Sequence, residues 1–153
     1  MSRAFTKESD DTFAELPDRP VSQHPNLVTS EGLAQIDATL GVLQAEHGVA
    51  QAANDRAAVA RIERDLRYWA ARRASAQLVP TAQDSTEVRF GSTVTIVRDD
   101  GRRQSYRIVG EDEADPSRGT VSYVSPVARA LLGGKVGDVV RAGSSDAEIL
   151  DIA

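Results

Sequence analysis

Four carboxylates fall within five residues at Glu111-Asp-Glu-Ala-Asp115, the densest group of chemistry-capable side chains in the chain. Such a run invites a divalent-cation site, because hard cations take oxygen ligands. It lacks the glycine and the regular ligand spacing of an EF-hand, so a solvated loop is the expectation and no metal site is assigned. Ser125, His47 and an aspartate supply the residue types of a nucleophilic triad. They lie in different segments, however, and His47 falls on a helical stripe, which favours a packed or solvent-edge histidine. Gly133-Gly-Lys135 is too short to cradle a phosphate and reads as a helix stop. The absence of cysteine excludes disulfides, thiolate nucleophiles and Cys-based zinc sites. Two histidines, His24 and His47, are too few for a multi-histidine metal centre. Every basic residue beyond position 7 except Lys135 is arginine. Arginine's planar fork suits local, geometrically specific anion contacts, although a high-GC coding bias produces the same pattern.

The elements that must position these residues fall into three segments. Residues 1–27 hold Pro17, Pro20 and Pro25 with several acids and few large apolar groups, too little to offset ordering entropy. They read as an extended arm or loose tail, with Phe5, Phe13 and Leu16 as weak anchors. Residues 28–79 read as two helices. Thr29 is a good N-cap with Glu31 in the first turn, and apolar steps of three and four run through Leu33, Ile36, Leu40 and Leu43 to His47 and Ala50. Asn54 and Asp55 begin a turn or cap a new helix. Val59, Ile62, Leu66 and Trp69 then repeat the spacing, followed by Arg73 and Ala76, and Pro80 ends the run.

Two such heptad stripes bury each other as an antiparallel coiled-coil hairpin, which pairs Leu43 with Ile62, Leu40 with Leu66 and Ile36 with Trp69. Arg61, Arg64, Arg67 and Arg72 then form a basic face away from the stripe. Arg61–Asp65 and Glu63–Arg67 are spaced for i,i+4 pairing, so a solvated, salt-bridged face competes with contact to a polyanion or acidic partner. Residues 80–86 form a linker. From 87 to 153 the period changes to strands at Val88–Val97, Gln104–Val109, Thr120–Val124, Val136–Val140 and Ala147–Ile152, with one short helix opened by Ser125-Pro126. The fold class is α+β.

The chain has 153 residues, 41% of them apolar and 5% aromatic, which suits two modest cores better than one large aromatic core. Net charge is −5, distributed as −2, 0 and −3 over residues 1–27, 28–79 and 80–153. No segment carries the basic excess of an autonomous duplex-DNA binder. No apolar run is long enough to span a bilayer and the first residues lack a signal core, so no membrane partner and a cytoplasmic location are expected.

Residues 27–153 resemble the bacterial GreA/GreB transcript-cleavage factors, and the GreB type most closely. The resemblance rests on Val88-Arg-Phe-Gly-Ser-Thr-Val94, Tyr106-Arg-Ile-Val-Gly-Glu-Asp-Glu-Ala-Asp115, Ser125-Pro-Val-Ala-Arg-Ala-Leu-Leu132 and Lys135-Val-Gly-Asp138. Leu27-Val-Thr-Ser-Glu-Gly-Leu33 resembles the start of the family's first helix, and Arg61–Tyr68 through Val79 its second. The resemblance implies an FKBP-like C-terminal domain that docks on RNA polymerase at the secondary channel, with the coiled coil inserted into it. Family docking residues correspond to Ser125, Pro126, Ala128 and Arg129. Nucleic acid, DNA included, is then met only through the elongation complex, and a monomer is expected.

Cleavage-stimulating members carry a pair of acids at the hairpin tip that helps hold a magnesium ion at the polymerase active site. Here Glu46-His-Gly48 resembles the approach to the tip, but the acid pair is missing from Val49–Arg56 and the hairpin is shorter. The tip candidates are Glu46, Asn54, Asp55 and Arg56. One carboxylate is a poor clamp for an ion that demands near-octahedral oxygen ligation, and Asp55 also suits a helix cap. The expectation is therefore an accessory factor with no catalytic residue or cofactor of its own and with weak or absent cleavage stimulation. A peptidyl-prolyl isomerase-like module and a purely structural adaptor are the alternatives.

Overall fold

The computed structural model describes residues 16–153, so Phe5 and Phe13 lie outside the described residues. Two compact units emerge, one of Ile36–Ser75 with the described residues up to Gln23, the other of His24–Gln35 and Ala76–Ala153. The mixture of helices with a five-stranded sheet is an α+β fold.

In the first unit, α1 (Ser30–Ala52) and α2 (Arg56–Ser75) are joined by a three-residue connection, Ala53–Asp55. Only the part of α1 from Ile36 onward belongs to this unit. Antiparallel pairing follows from the contacts. Asp37 accepts from Arg73 at 2.7 Å, His47 Nε2 lies 2.9 Å from Glu63 Oε1, and Ala50 clusters with Ala58 and Ile62. Leu43, Val59 and Leu66 pack on that cluster, and Ile36 is buried further down α1. The acids and arginines expected in i,i+4 pairs on α2 find other partners: Glu63 faces His47, Arg67 faces Asp18, and Asp65 faces Arg19 and its neighbour Arg64.

Arg72 departs from the sequence expectation, being 2% exposed and no part of an open basic face. It lies seven residues beyond Asp65 and four beyond Tyr68, on a side of α2 that a two-helix wheel leaves to water. That side is not left to water further along α2 either, where Arg19 pairs with Asp65 and stacks over the Tyr68 ring. Arg73, which follows the stripe near its end, reaches out to an exposed pairing with Asp37.

The second unit is built on a sheet of order β5-β4-β3-β7-β6. Its strands are β3 (Thr93–Arg98), β4 (Arg103–Val109), β5 (Thr120–Ser122), β6 (Val139–Ala142) and β7 (Ser145–Ile152). Alternation places Val94 and Ile96 of β3 in the core, with Ile108, Val121, Ala147 and Ile149 from neighbouring strands. Each large aliphatic side chain buried this way contributes roughly 1.5–3 kcal/mol. Ile149 and Ile152 are three apart, yet both face the core. The β3–β7 register shifts between Thr95 and Ile96, and this irregularity restores the alternation.

Several strand ends differ from the sequence reading. Val88 and Phe90 precede β3 in a turn where Gly91 takes φ +88°, although Val88 is still a core residue. Gly137, at φ +92°, breaks the segment 136–140 so that β6 begins only at Val139. β5 runs parallel to β4, a pairing that short-range pattern cannot reveal.

Two elements were not anticipated. Strands β1 (Leu27–Val28) and β2 (Gln77–Leu78) pair in parallel as a separate two-stranded sheet. The Glu111–Asp115 run is half-buried, not a fully solvated loop. Glu113 accepts from the Thr29 backbone N–H at 3.1 Å, from the Thr29 hydroxyl, and from the Gly110 N–H at 3.3 Å. Thr29 in turn caps α1 by accepting from the Gly32 N–H at 3.0 Å. No side chain fits at two of these positions. A Cβ on Gly32 would lie 2.1 Å from the Glu113 carboxylate, and one on Gly110 would lie 2.3 Å from the Leu27 carbonyl. Nearby, the Tyr123 hydroxyl donates to the Pro25 carbonyl and Arg107 pairs with Glu31 at 3.4 Å.

Glu113→Ala strands three donors and is expected to lower unfolding stability by about 1–3 kcal/mol in urea titration. Gly41, with open space where a Cβ would stand, gives the opposite sign: Gly41→Ala is expected to add up to about 1 kcal/mol through helix propensity. The Glu31 carboxyl is held below its ordinary value, first by its own backbone N–H at the helix start, then by the Ser30 hydroxyl and the Arg107 guanidinium. A lowered folded-state pKa stabilises above the ordinary carboxylate value and loses that contribution as pH falls through the lowered one. Glu31→Gln is therefore expected to be less stable than the parent at pH 7, with the two melting curves converging in acid.

Candidate functional site

The short helix α3 (Pro126–Leu131) begins at Ser125, whose hydroxyl oxygen accepts from the Ala128 N–H at 3.3 Å while Pro126 occupies the first turn. The cap and the proline leave little freedom at this end. Of the four docking candidates, the structure exposes Pro126 and Arg129, half-buries Ser125 and buries Ala128. Ala128, at 0% exposure, belongs to the core with Leu131, so it seats the helix and presents no surface of its own. A helix lying on a sheet must direct one residue of each turn inward, and α3 packs on β6. Arg129 is exposed, with no ion pair among the described residues.

Sequence reasoning missed the chain that follows. Leu132, Val136 and Val139 expose apolar side chains at 36%, 58% and 64% along the segment leaving α3. Their pattern resembles a buried strand. Only the left-handed residues Gly133 and Gly137, which turn this segment, distinguish it from one.

At the far end of the helical pair, the connection is a tight stop followed at once by a new start. The Asn54 N–H donates to the Gln51 carbonyl at 3.1 Å and the Asp55 N–H to the Ala50 carbonyl at 3.0 Å, the two bonds of a Schellman motif. Asn54 occupies its left-handed position at φ 54°, alone among the described non-glycine residues in having positive φ. Asp55 then caps α2, its carboxylate accepting from the Ala58 N–H at 3.1 Å. Arg56 is the first residue of α2.

Glu46 and Asp55 line one open hollow of about 590 Å³ beside this turn, together with Leu43, Val49, Ala53 and Ile62. Its lining is mostly apolar, and Val49 is 72% exposed. What the tip presents is therefore an apolar shelf with scattered carboxylates, one of which is engaged as a cap. Among the described residues no three His, Asp or Glu side chains come together as a cation site.

The remaining candidates have local partners. His47 meets Glu63, and the Ser125 hydroxyl meets Ala128. Asp115 caps the 3₁₀ turn Pro116–Arg118 and is held below its ordinary pKa, chiefly by the Ser117 hydroxyl. Gly134 sits where a Cβ would meet Ile149 Cδ1 at 2.6 Å, a packing role with no phosphate cradle. On α2, Arg61 and Arg67 are exposed and Arg64 half-buried. Among the described residues no helix is long and apolar enough to cross a membrane.

Residues 83–153 match the family described as transcription elongation factor, GreA/GreB, C-terminal. The chain is similar to transcription elongation factor GreA of Helicobacter pylori, 45% identical over 85 residues that cover 52% of each protein. It is also similar to transcription elongation factor GreB of Neisseria meningitidis serogroup B, 39% identical over 97 residues and 60% of each. The chain spans about half the length of the curated GreA relatives it matches. Among solved structures, GreA factor homolog 1 of Thermus thermophilus aligns at 23% identity and a TM-score of 0.42, over 85% of this chain and 99% of that one.

The tip geometry has a direct consequence for stability. Asn54→Gly is expected to be neutral or slightly stabilising, whereas Asn54→Val forces a β-branched side chain into the left-handed region and costs roughly 1–2 kcal/mol. Asp55→Ala removes the cap and is expected to cost about 1 kcal/mol, read by thermal unfolding.

Proposed function

From the match of residues 83–153 to the GreA/GreB family, we propose that this chain is a member of that family, a transcription elongation regulator of RNA polymerase that binds at the secondary channel and stimulates transcript cleavage weakly or not at all. In this reading the sheet unit is an FKBP-like docking domain and the helical pair a short coiled-coil hairpin that enters the channel. The protein is an accessory factor, and any hydrolysis belongs to the polymerase.

One observation carries the reading. The Asp55 carboxylate at the turn is already accepting the Ala58 N–H as a helix cap. A carboxylate engaged in this way offers a weaker second contact; of the two other acids that line the same hollow, Glu46 and Asp65, the latter is paired with Arg19 and Arg64, and no three acids converge on one point among the described residues. Holding a magnesium ion against substrate phosphates takes several converging oxygens. The docking half rests on different chemistry, an exposed Arg129 and Pro126 on a helix whose start is fixed by its cap. Arginine there is suited to a carboxylate on the partner through its planar fork.

A backtracked elongation complex separates the two halves. The chain is expected to bind core polymerase, to lose about tenfold or more in affinity on Arg129→Glu through charge reversal, and to leave backtracked RNA uncut. Robust cleavage abolished by Asp55→Ala would refute the inactive tip.

A further inference from the structure

The first described residues lie on α2 through reciprocal charge contacts. Asp18 accepts from Arg67 Nε at 2.6 Å, and Arg67 Nη2 donates to the Leu16 carbonyl at 3.1 Å. One residue on, Arg19 donates to Asp65 at 3.3 Å, and its guanidinium carbon sits 3.9 Å from the Tyr68 ring centroid and 5.9 Å from that of Trp69. Asp65 is shared with Arg64 at 3.4 Å. The arm thus sets a carboxylate on a helix arginine and an arginine on a helix carboxylate.

We infer that residues 16–19 are a releasable strap, in which Asp18 occupies Arg67 until an acidic patch on a protein partner takes its place. The identity of that partner rests on the polymerase reading above. Three observations favour a carboxylate-bearing protein surface over nucleic acid. The groups Arg67 holds within the chain are a carboxylate and a peptide carbonyl, both abundant on protein surfaces. Glu63 and Asp65 interrupt the arginines of α2, and the whole chain carries net charge −5, which disfavours a phosphate backbone. Exchange of one carboxylate for another also conserves the ion pair on Arg67, so displacement gives up the Arg19–Asp65 pair, the Leu16 carbonyl contact and the stacking of Arg19 on Tyr68.

The strap is built to open. Arg67 and Asp18 are 46% and 74% exposed. Exposed pairs of this kind favour the closed form by no more than about fivefold each in an equilibrium constant, and less in salt. A strap of this strength is closed in the free protein and displaceable by a surface that presents several acids together.

The test uses the full chain and has two readouts. Trp69 is the only tryptophan, so its emission reports the arm directly. Raising the salt concentration is expected to shift Trp69 emission in the parent, with Arg19→Ala already giving the high-salt spectrum. The double variant Asp18→Asn/Arg19→Ala is expected to bind core RNA polymerase about three- to tenfold more tightly than the parent, from the exposed pairs it removes. Adding Arg67→Ala to the double variant should cancel the gain. Polymerase affinity equal to or below the parent's in the double variant overturns the proposal. So does unmasked binding of a single-stranded RNA oligonucleotide with unchanged polymerase affinity. If no form binds polymerase, the parent included, it is the polymerase reading that fails. The strap is then decided by Trp69 alone: a salt-dependent shift lost in Arg19→Ala upholds it, and an identical response in both proteins overturns it.

Discussion

The carboxylate of Glu113 takes three donors at once, two from Thr29 and one from Gly110, and so ties the beginning of α1 to a loop 84 residues away in the chain. Ordering two remote segments costs conformational entropy that a single neutral hydrogen bond does not offset. A charged acceptor with several partners does better, because hydrogen bonds to an ionised group are roughly twice as strong as neutral ones. The arrangement also sets the local composition. Gly32 and Gly110 leave no room for a Cβ, and Thr29 serves both as a donor to Glu113 and as the cap of α1.

The same use of carboxylates recurs through the molecule. Asp55 caps α2, Asp115 caps the 3₁₀ turn, and Asp138 accepts the Lys135 N–H at 2.8 Å. Acids that look like ligands in the sequence are largely consumed in ending and starting backbone elements, where unpaired N–H groups need acceptors. This economy bears on the proposed function. A tip whose acid is a cap holds the turn in place, and a turn made to hold shape and present Val49 is suited to occupying space more than to coordinating an ion.

Arginine follows a parallel logic. Of the four arginines expected on one open face, Arg72 is buried, Arg64 is half-buried on Asp65, and Arg67 is engaged by the arm. Helical-wheel reasoning treats a two-helix hairpin as having one inside and one outside. Once residues 16–19 contact α2, that outside becomes a second interface, and the arm's charge pattern matters in place of its low hydrophobicity.

Local pattern was enough to read both long helices, the Asn54-Asp55 turn, the Asp99–Gly101 hairpin, the capped helix at Ser125-Pro126 and the α+β class, because each follows from residue spacing or from a side chain bonding its own backbone neighbours. The same locality explains why Val136–Val140 was misread, since a left-handed Gly137 leaves no trace in hydropathy. What depends on distant partners was decided only in three dimensions: the β1–β2 pairing, the parallel β5, the role of Glu113, the burial of Arg72 and Ala128, and the arm's grip on Arg67. Periodicity reports which face of an element is apolar, whereas the identity of the group that meets that face is set by long-range packing, and no spacing along the chain encodes it.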